Sequence, residues 1–174
     1  MSKTILTTER LKLREITPDD HNDLLAIWGD AETMRFYPAP LDEDGVREWI
    51  ERNLKRYKQN GHGLWAMILL DEERLVGDCG LTYQDVEGVA ELEVGYHLNK
   101  AYWGRGLATE AARACMDYAF NQLGRRRITS LIRPENLPSR RVAERNGMRI
   151  EKEIMRSGYR HYVYVKESDG SQHA

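Results

Sequence analysis

The chain has 174 residues, 26 of them lysine or arginine against 28 aspartate or glutamate, for a formal charge of −2, and 41% are hydrophobic. This near-neutral balance excludes a globally basic nucleic-acid binder, and the apolar content excludes disorder along the whole chain. The length suits one domain, expected over residues 1–166 with a polar tail at 167–174.

Leu11 and Leu13 alternate with Lys12 and Arg14, so residues 10–16 read as a half-buried strand. Thr17-Pro18-Asp19-Asp20 has the composition of a helix start, followed by Leu24, Ile27 and Trp28 on one face and Gly29 as a stop. Beyond Tyr37-Pro38-Ala39-Pro40, a longer helix is capped by Asp42 and carries Val46, Trp49, Ile50, Leu54 and Tyr57 at helical spacing. Strands follow at 64–70, 75–84 and 89–98, the first continuously apolar as in a strand covered on both faces. A helix at 107–122, a strand at 127–133, a short helix at 137–146 and strands at 148–156 and 159–166 complete the order. It predicts a mixed α/β (α+β) sheet of about seven strands, mostly antiparallel, with one parallel crossover and about four flanking helices.

The segment Met1–Thr8 is polar where a signal peptide needs an apolar run. The longest apolar run, Leu64–Leu70, falls far short of the ~20 residues that cross a bilayer. Cys79 and Cys115 have no CxxC partner, which fits a reducing compartment. The expectation is a cytoplasmic protein with no membrane partner and no sequence-specific nucleic acid. His21, His62, His97, His161 and His173 lack metal spacing, so no metal is expected.

The most informative stretch runs from Glu91-Leu92-Glu93-Val94-Gly95-Tyr96-His97-Leu98 into Ala101-Tyr102-Trp103-Gly104-Arg105-Gly106-Leu107-Ala108-Thr109-Glu110. A strand enters a glycine-bearing loop, and the loop opens a helix whose first N–H groups favour an anion. Taken alone, the pattern fits any tight strand–turn–helix connection. The window Trp103-Gly104-Arg105-Gly106-Leu107-Ala108 resembles the Gln/Arg-x-x-Gly-x-Gly/Ala loop of the GNAT N-acetyltransferase superfamily, with Trp103 in place of the usual Gln or Arg. Tyr-Trp-Gly-x-Gly-x-Ala-Thr-Glu-Ala is similar to the branch of the ribosomal-protein N-terminal (alanine/serine) acetyltransferases. The opening Thr7-Thr8-Glu9-Arg10-Leu11-Lys12-Leu13-Arg14, then Asn136 with Ser139, and Glu144-Arg145-Asn146-Gly147-Met148 resemble that branch in the same order.

The resemblance implies the GNAT fold and acetyl-CoA as co-substrate, with the pantothenate arm along strand 89–98 at Tyr96, His97 and Leu98. The pyrophosphate would meet the amides of Gly104, Arg105, Gly106, Leu107, Ala108 and Thr109 beside Trp103, and the Arg105 side chain would add a charge-assisted contact. Asn136 corresponds to a CoA-facing asparagine, although an N-cap role for the following helix is equally compatible. An ammonium cannot attack a thioester, so a carboxylate must accept its proton. Glu93, in the Glu-x-Gly-Tyr pattern, is the first candidate, and Glu91 reads better as a solvent-face charge. The family's thiol-protonating tyrosine is replaced by Ala143, leaving Ser139 or water.

The acceptor is expected to be a protein N-terminal α-amine, with a small amine such as a polyamine, amino acid or antibiotic as the alternative, and a non-catalytic acyl-CoA sensor as a third reading. Arg125–Arg127, Arg133, Arg140, Arg141, Arg145 and Arg149 form a basic concentration compatible with a solvated rim, CoA phosphates or ribosomal association. Residues 33–40 are a candidate acceptor wall. The assembly is expected to be a monomer or homodimer.

Overall fold

The computed structural model describes residues 2–169. Its sheet grows outward from β3 (Leu64–Leu69), all six residues of which are buried. Trp65, Met67 and Leu69 project into one core, and Leu64, Ala66 and Ile68 into another on the opposite face, as a two-residue period requires. The first core is closed by α3 (Leu107–Asn121), through Ala111, Ala112, Cys115 and Ala119. The second is closed by α1 (His21–Trp28) and α2 (Glu43–Asn60), through Leu24, Ile27, Val46 and Ile50. The hydrophobic patterns of these helices therefore settle which face each one covers.

Around β3 stand β1 (Thr4–Thr7), β2 (Leu11–Arg14), β4 (Arg74–Val86), β5 (Val89–Leu98), β6 (Arg127–Ile132), β7 (Arg149–Arg156) and β8 (Tyr159–Glu167). The sheet order is β1-β2-β3-β4-β5-β6-β8-β7, antiparallel except where α3 carries the chain from β5 to β6. A short helix, α4 (Leu137–Arg145), lies between β6 and β7. None of the described helices is long and apolar enough to cross a membrane.

The α/β class, the mixed sheet, the single parallel crossover and the four helices agree with the reading of the chain. The sheet has eight strands rather than seven, because Thr4–Thr7 pairs with β2 as an additional edge strand. Its four residues carry too short an alternation to stand out. β2 ends at Arg14, earlier than expected, because the next groups turn to side chains. The Ile16 N–H donates to the Tyr57 hydroxyl at 3.1 Å, and the Arg14 guanidinium grips both oxygens of Asp20. Glu167, expected to begin the tail, is the last residue of β8, opposite Arg127. Residues 170–174 lie outside the described part.

One feature of the sheet prepares the site. β5 and β6 register at a single pair, Glu93 with Thr129, and then part. Side chains satisfy the groups freed at the fork. Thr129 Oγ1 donates to the Leu92 carbonyl at 3.1 Å, and Ser130 Oγ donates to the Val94 carbonyl at 3.2 Å. The Leu131 N–H donates to Glu93 Oε2 at 2.8 Å. Buried backbone groups without a strand partner need such replacements, and with them the sheet can stay open as a wedge.

Candidate active site

Two cavities meet at the wedge. The larger, about 410 Å³, lies at the N-terminal end of α3 beneath α4. Gly104 and Gly106, both at φ 77°, give the loop a left-handed path that side-chain-bearing residues rarely adopt. This path turns the chain into α3, and no side chain caps that helix. The amides of Leu107, Ala108 and Thr109 precede the first intrahelical donor, Glu110, whose N–H reaches the Gly106 carbonyl at 3.1 Å. They form an uncapped positive end on the cavity wall.

Tyr96, His97, Leu98, Trp103, Gly104, Gly106, Leu107, Ala108, Thr109, Asn136 and Ser139 all line this cavity. Arg105 stands apart. Its guanidinium lies over the Tyr102 ring, 5.6 Å from the centroid, and its carbonyl accepts from Arg10 Nη1. Arg141 and Arg145, part of the basic concentration read from the sequence, do line the cavity. Of the others, Arg127 is held by Glu91 and Glu151, Arg133 by Glu135, and Arg140 by the Tyr164 hydroxyl. Asn136 caps α4, its Oδ1 accepting from the Ser139 N–H at 3.3 Å. The Tyr96 hydroxyl donates to the Ser139 carbonyl at 2.8 Å, fastening the start of α4 to β5.

The smaller cavity, about 300 Å³, lies on the other side of the wedge. Trp28, Tyr37 and Trp49 supply aromatic walls, and Arg56, Arg133 and Arg156 supply cations. The segment 33–40, read as an acceptor wall, contributes Phe36, Tyr37 and Pro38. Glu93 is half-buried here. Burial raises its pKa above the ordinary carboxylate value, against the opposing pull of the Leu131 N–H, Arg156, His97 and Arg56. Burial, with Arg52 nearby, pushes Arg56 down. Arg156 donates through Nη2 to Gln84, while its buried Nη1 has no protein partner. Glu91, by contrast, is paired with Arg127 at 2.8 Å and lines neither cavity.

Phe36, Tyr37, Tyr96, His97, Asn136 and Ser139 line both cavities and mark their seam. Burial holds the phenols of Tyr37 and Tyr96 well above the usual tyrosine value, so both stay neutral. Ala143 is buried in the core under α4 and offers no hydroxyl. Cys79 is also buried, 3.6 Å from Cys115 between the sulfurs, and burial pushes its thiol up, away from nucleophilic chemistry. Among the described residues, no cluster of three His, Cys, Asp or Glu side chains is placed to hold a metal.

The sequence reading missed Trp28, Trp49, Arg56 and Arg156 as wall residues, together with the His97 side chain. The tryptophans sit at helical core spacing, which predicts burial without saying against what. Arg156 lies more than sixty residues from Glu93, and only the sheet order brings them to one side.

Residues 10–149 match the family model described as an acetyltransferase (GNAT) domain. The chain is 35% identical over 96% of its length to the uncharacterized protein YkkB of Bacillus subtilis, covering 98% of that protein. It is 24% identical to the ribosomal-protein-serine acetyltransferase of Escherichia coli, covering 87% of this chain and 86% of that one. A crystal structure of a GNAT-family acetyltransferase from Bacillus anthracis superposes with a TM-score of 0.80 at 28% identity, over 96% of this chain and 98% of the other.

Proposed function

The chain belongs to the GNAT acetyltransferase family, and we propose that it transfers the acetyl group of acetyl-CoA directly to a primary amine held in the aromatic cavity. The observation that carries this reading is the seam: a cavity walled by an uncapped helix end opens onto a second one holding a half-buried carboxylate. The amides of Gly106 to Thr109, with Arg141 and Arg145, suit the phosphates of CoA. No β6 residue pairs with Tyr96, His97 or Leu98, so the wedge leaves strand backbone open to an amide-bearing arm, apart from the Leu98 carbonyl, which accepts from the Trp103 indole N–H at 2.8 Å. Acetyl-CoA supplies an activated thioester.

Glu93 takes the proton that an ammonium must lose before it can attack, directly or through one water. Its raised pKa brings it closer to that of an α-amine, which makes the exchange less uphill than for an ordinary surface carboxylate. A backbone amide at the wedge near Tyr96–Leu98 polarises the thioester carbonyl, stabilising charge that develops as the nitrogen adds. Ser139 lies at the seam, in the lining shared by both cavities. This is a ternary-complex reaction with no acyl-enzyme, since Cys79 is buried and its thiol is pushed up.

Two acceptor classes fit. A protein N-terminus agrees with the branch named for ribosomal-protein acetyltransferases, represented by the Escherichia coli relative. A small amine carrying an acidic group is favoured by the modest 300 Å³ volume and by Arg56 and Arg156 beside Glu93. A free-thiol assay with serine- and alanine-initiated peptides beside amino acids and polyamines separates them. Turnover with peptides alone establishes the first class, turnover with acidic amino acids alone establishes the second, and silence with intact acetyl-CoA binding favours a sensor.

A further inference from the structure

Resting on the acetyl-transfer reading above, a second proton-handling group stands out in a buried trio. Asp78 on β4 is 0% exposed, and each carboxylate oxygen meets one ring nitrogen. Trp28 Nε1–H donates to Oδ2 at 2.7 Å, and His97 Nδ1 lies 2.8 Å from Oδ1. A carboxylate can only accept, so Nδ1 of His97 carries the hydrogen, and in the neutral ring Nε2 holds the lone pair. That Nε2 is buried and has no protein partner. A bare ring nitrogen shielded from water costs free energy until a donor reaches it, and this one belongs to a residue lining both cavities. The ring is clamped with its centroid 4.0 Å from that of Trp28 and 5.2 Å from that of Tyr37, so its orientation is fixed.

Glu93, Gly95 and His97 share one face of β5, with the outer two Cα atoms about 13 Å apart at the usual strand rise. Gly95 between them lines the aromatic cavity and brings no side chain into it, leaving room for a reacting centre flanked by a carboxylate and an imidazole.

We propose that His97 is a catalytic residue that accepts the proton released by the attacking nitrogen and delivers it to the departing sulfur, with Asp78 as its positioning residue. The ammonium first loses one proton to Glu93. The nitrogen lone pair then forms the N–C bond, giving a tetrahedral centre with a negative oxygen and a positive nitrogen. His97 Nε2 takes a proton from that nitrogen, and the C–S bond breaks with its electron pair going to sulfur. The imidazolium returns its proton to the sulfur, so amide and free thiol leave and the histidine ends neutral. One proton in total departs, through Glu93. Asp78, held in turn by Trp28, stabilises the transient imidazolium as a buried carboxylate does in a Ser–His–Asp triad. The other groups at the seam serve less well. A serine hydroxyl such as Ser139 holds its proton too tightly, and desolvation pushes the phenols of Tyr37 and Tyr96 further up.

The test begins with histidine ¹⁵N-labelled wild-type protein. His97 should appear as the Nδ1–H tautomer, with its Nε2 resonance moving when CoA is added; an Nε2–H tautomer overturns the proposal. In the thiol-release assay, His97→Gln should lower kcat about 100-fold at unchanged acetyl-CoA Kd, and added imidazole should partly restore His97→Ala. Asp78→Asn should cause a smaller loss and scramble the tautomer. Turnover of His97→Gln within threefold of wild type overturns the assignment, and so does a loss that imidazole cannot restore and that accompanies weakened acetyl-CoA binding. A wild type silent toward every amine overturns the acetyl-transfer reading and this inference together, whereas a working wild type matched by His97→Gln overturns this inference alone.

Discussion

The cavity at the end of α3 takes nearly half of its wall from one stretch of chain, Tyr96–Thr109, and its chief polar groups there are backbone amides. The aromatic cavity draws Trp28, Tyr37, Trp49, Glu93, Arg133 and Arg156 from six separate segments, and its chemistry is all side chain. A backbone site depends on conformation, so it changes little while the loop keeps its path. A side-chain site depends on which residues happen to converge, and each can vary without disturbing the fold. The first kind suits a ligand common to a whole family, and the second suits an acceptor particular to one member.

Substitutions in the two cavities should therefore fail in different ways. The largest effect belongs to Glu93→Gln, expected to lower kcat by about 10²- to 10³-fold with acetyl-CoA affinity unchanged, measured by thiol release and calorimetry. Equal losses in affinity and turnover would show that Glu93 helps hold the co-substrate, and the contrast between the cavities would collapse. Because burial raises its pKa, wild-type turnover should fall from a pH above the ordinary carboxylate range as acid protonates the base. The stability sign is opposite. A carboxyl with a raised folded pKa is most favourable to folding when protonated, and stability is lost as pH rises through that value. Glu93→Gln should thus melt above wild type at pH 8, a gain that closes toward pH 4.

Next comes Gly106→Val, which forces a branched side chain into a φ of 77° at the start of α3. The strain is about 1–2 kcal/mol, and relieving it would turn amides away, so acetyl-CoA affinity should fall about tenfold or more. An unchanged Kd would mean that the helix end does not hold the ligand. Arg156→Met belongs to the other cavity. It should raise the KM for an acidic acceptor about 10- to 100-fold, as loss of a charged hydrogen bond of roughly 1.5–3 kcal/mol implies, and leave acetyl-CoA affinity alone. Neutral amines should not feel it. The smallest effect is that of Asn136→Ala, where losing the α4 cap costs about 1 kcal/mol and lowers Tm by about 2–4 °C. If turnover falls while Tm holds, Asn136 contacts the co-substrate rather than only capping the helix.

Legibility in the sequence followed the same division. Helix and strand positions came through because Leu11/Leu13, the β3 run and the α2 stripe each report their own neighbourhood. The helix-end cavity was visible because Gly104, Gly106 and the α3 start adjoin in the chain. Arg105 shows the limit of that logic. It lies inside the motif, yet its side chain turns onto Tyr102 while Arg141 and Arg145 reach the cavity from α4. Asp78 was seen only as a strand residue and His97 only as a backbone contact to the co-substrate arm, since nothing local says that β4 and β5 place their side chains together.

By itself the sequence determined the fold class, the order of elements and the loop that carries the family motif, because periodicity, caps and backbone conformation are set over a few neighbouring residues. Tertiary structure alone decided that β5 and β6 part after Glu93, that Asp78 orients His97 beneath Trp28, and that Arg56 and Arg156 face the same carboxylate. Those relations depend on sheet register and on which helix covers which face, and they arise only when packing brings distant segments within a few ångströms of each other.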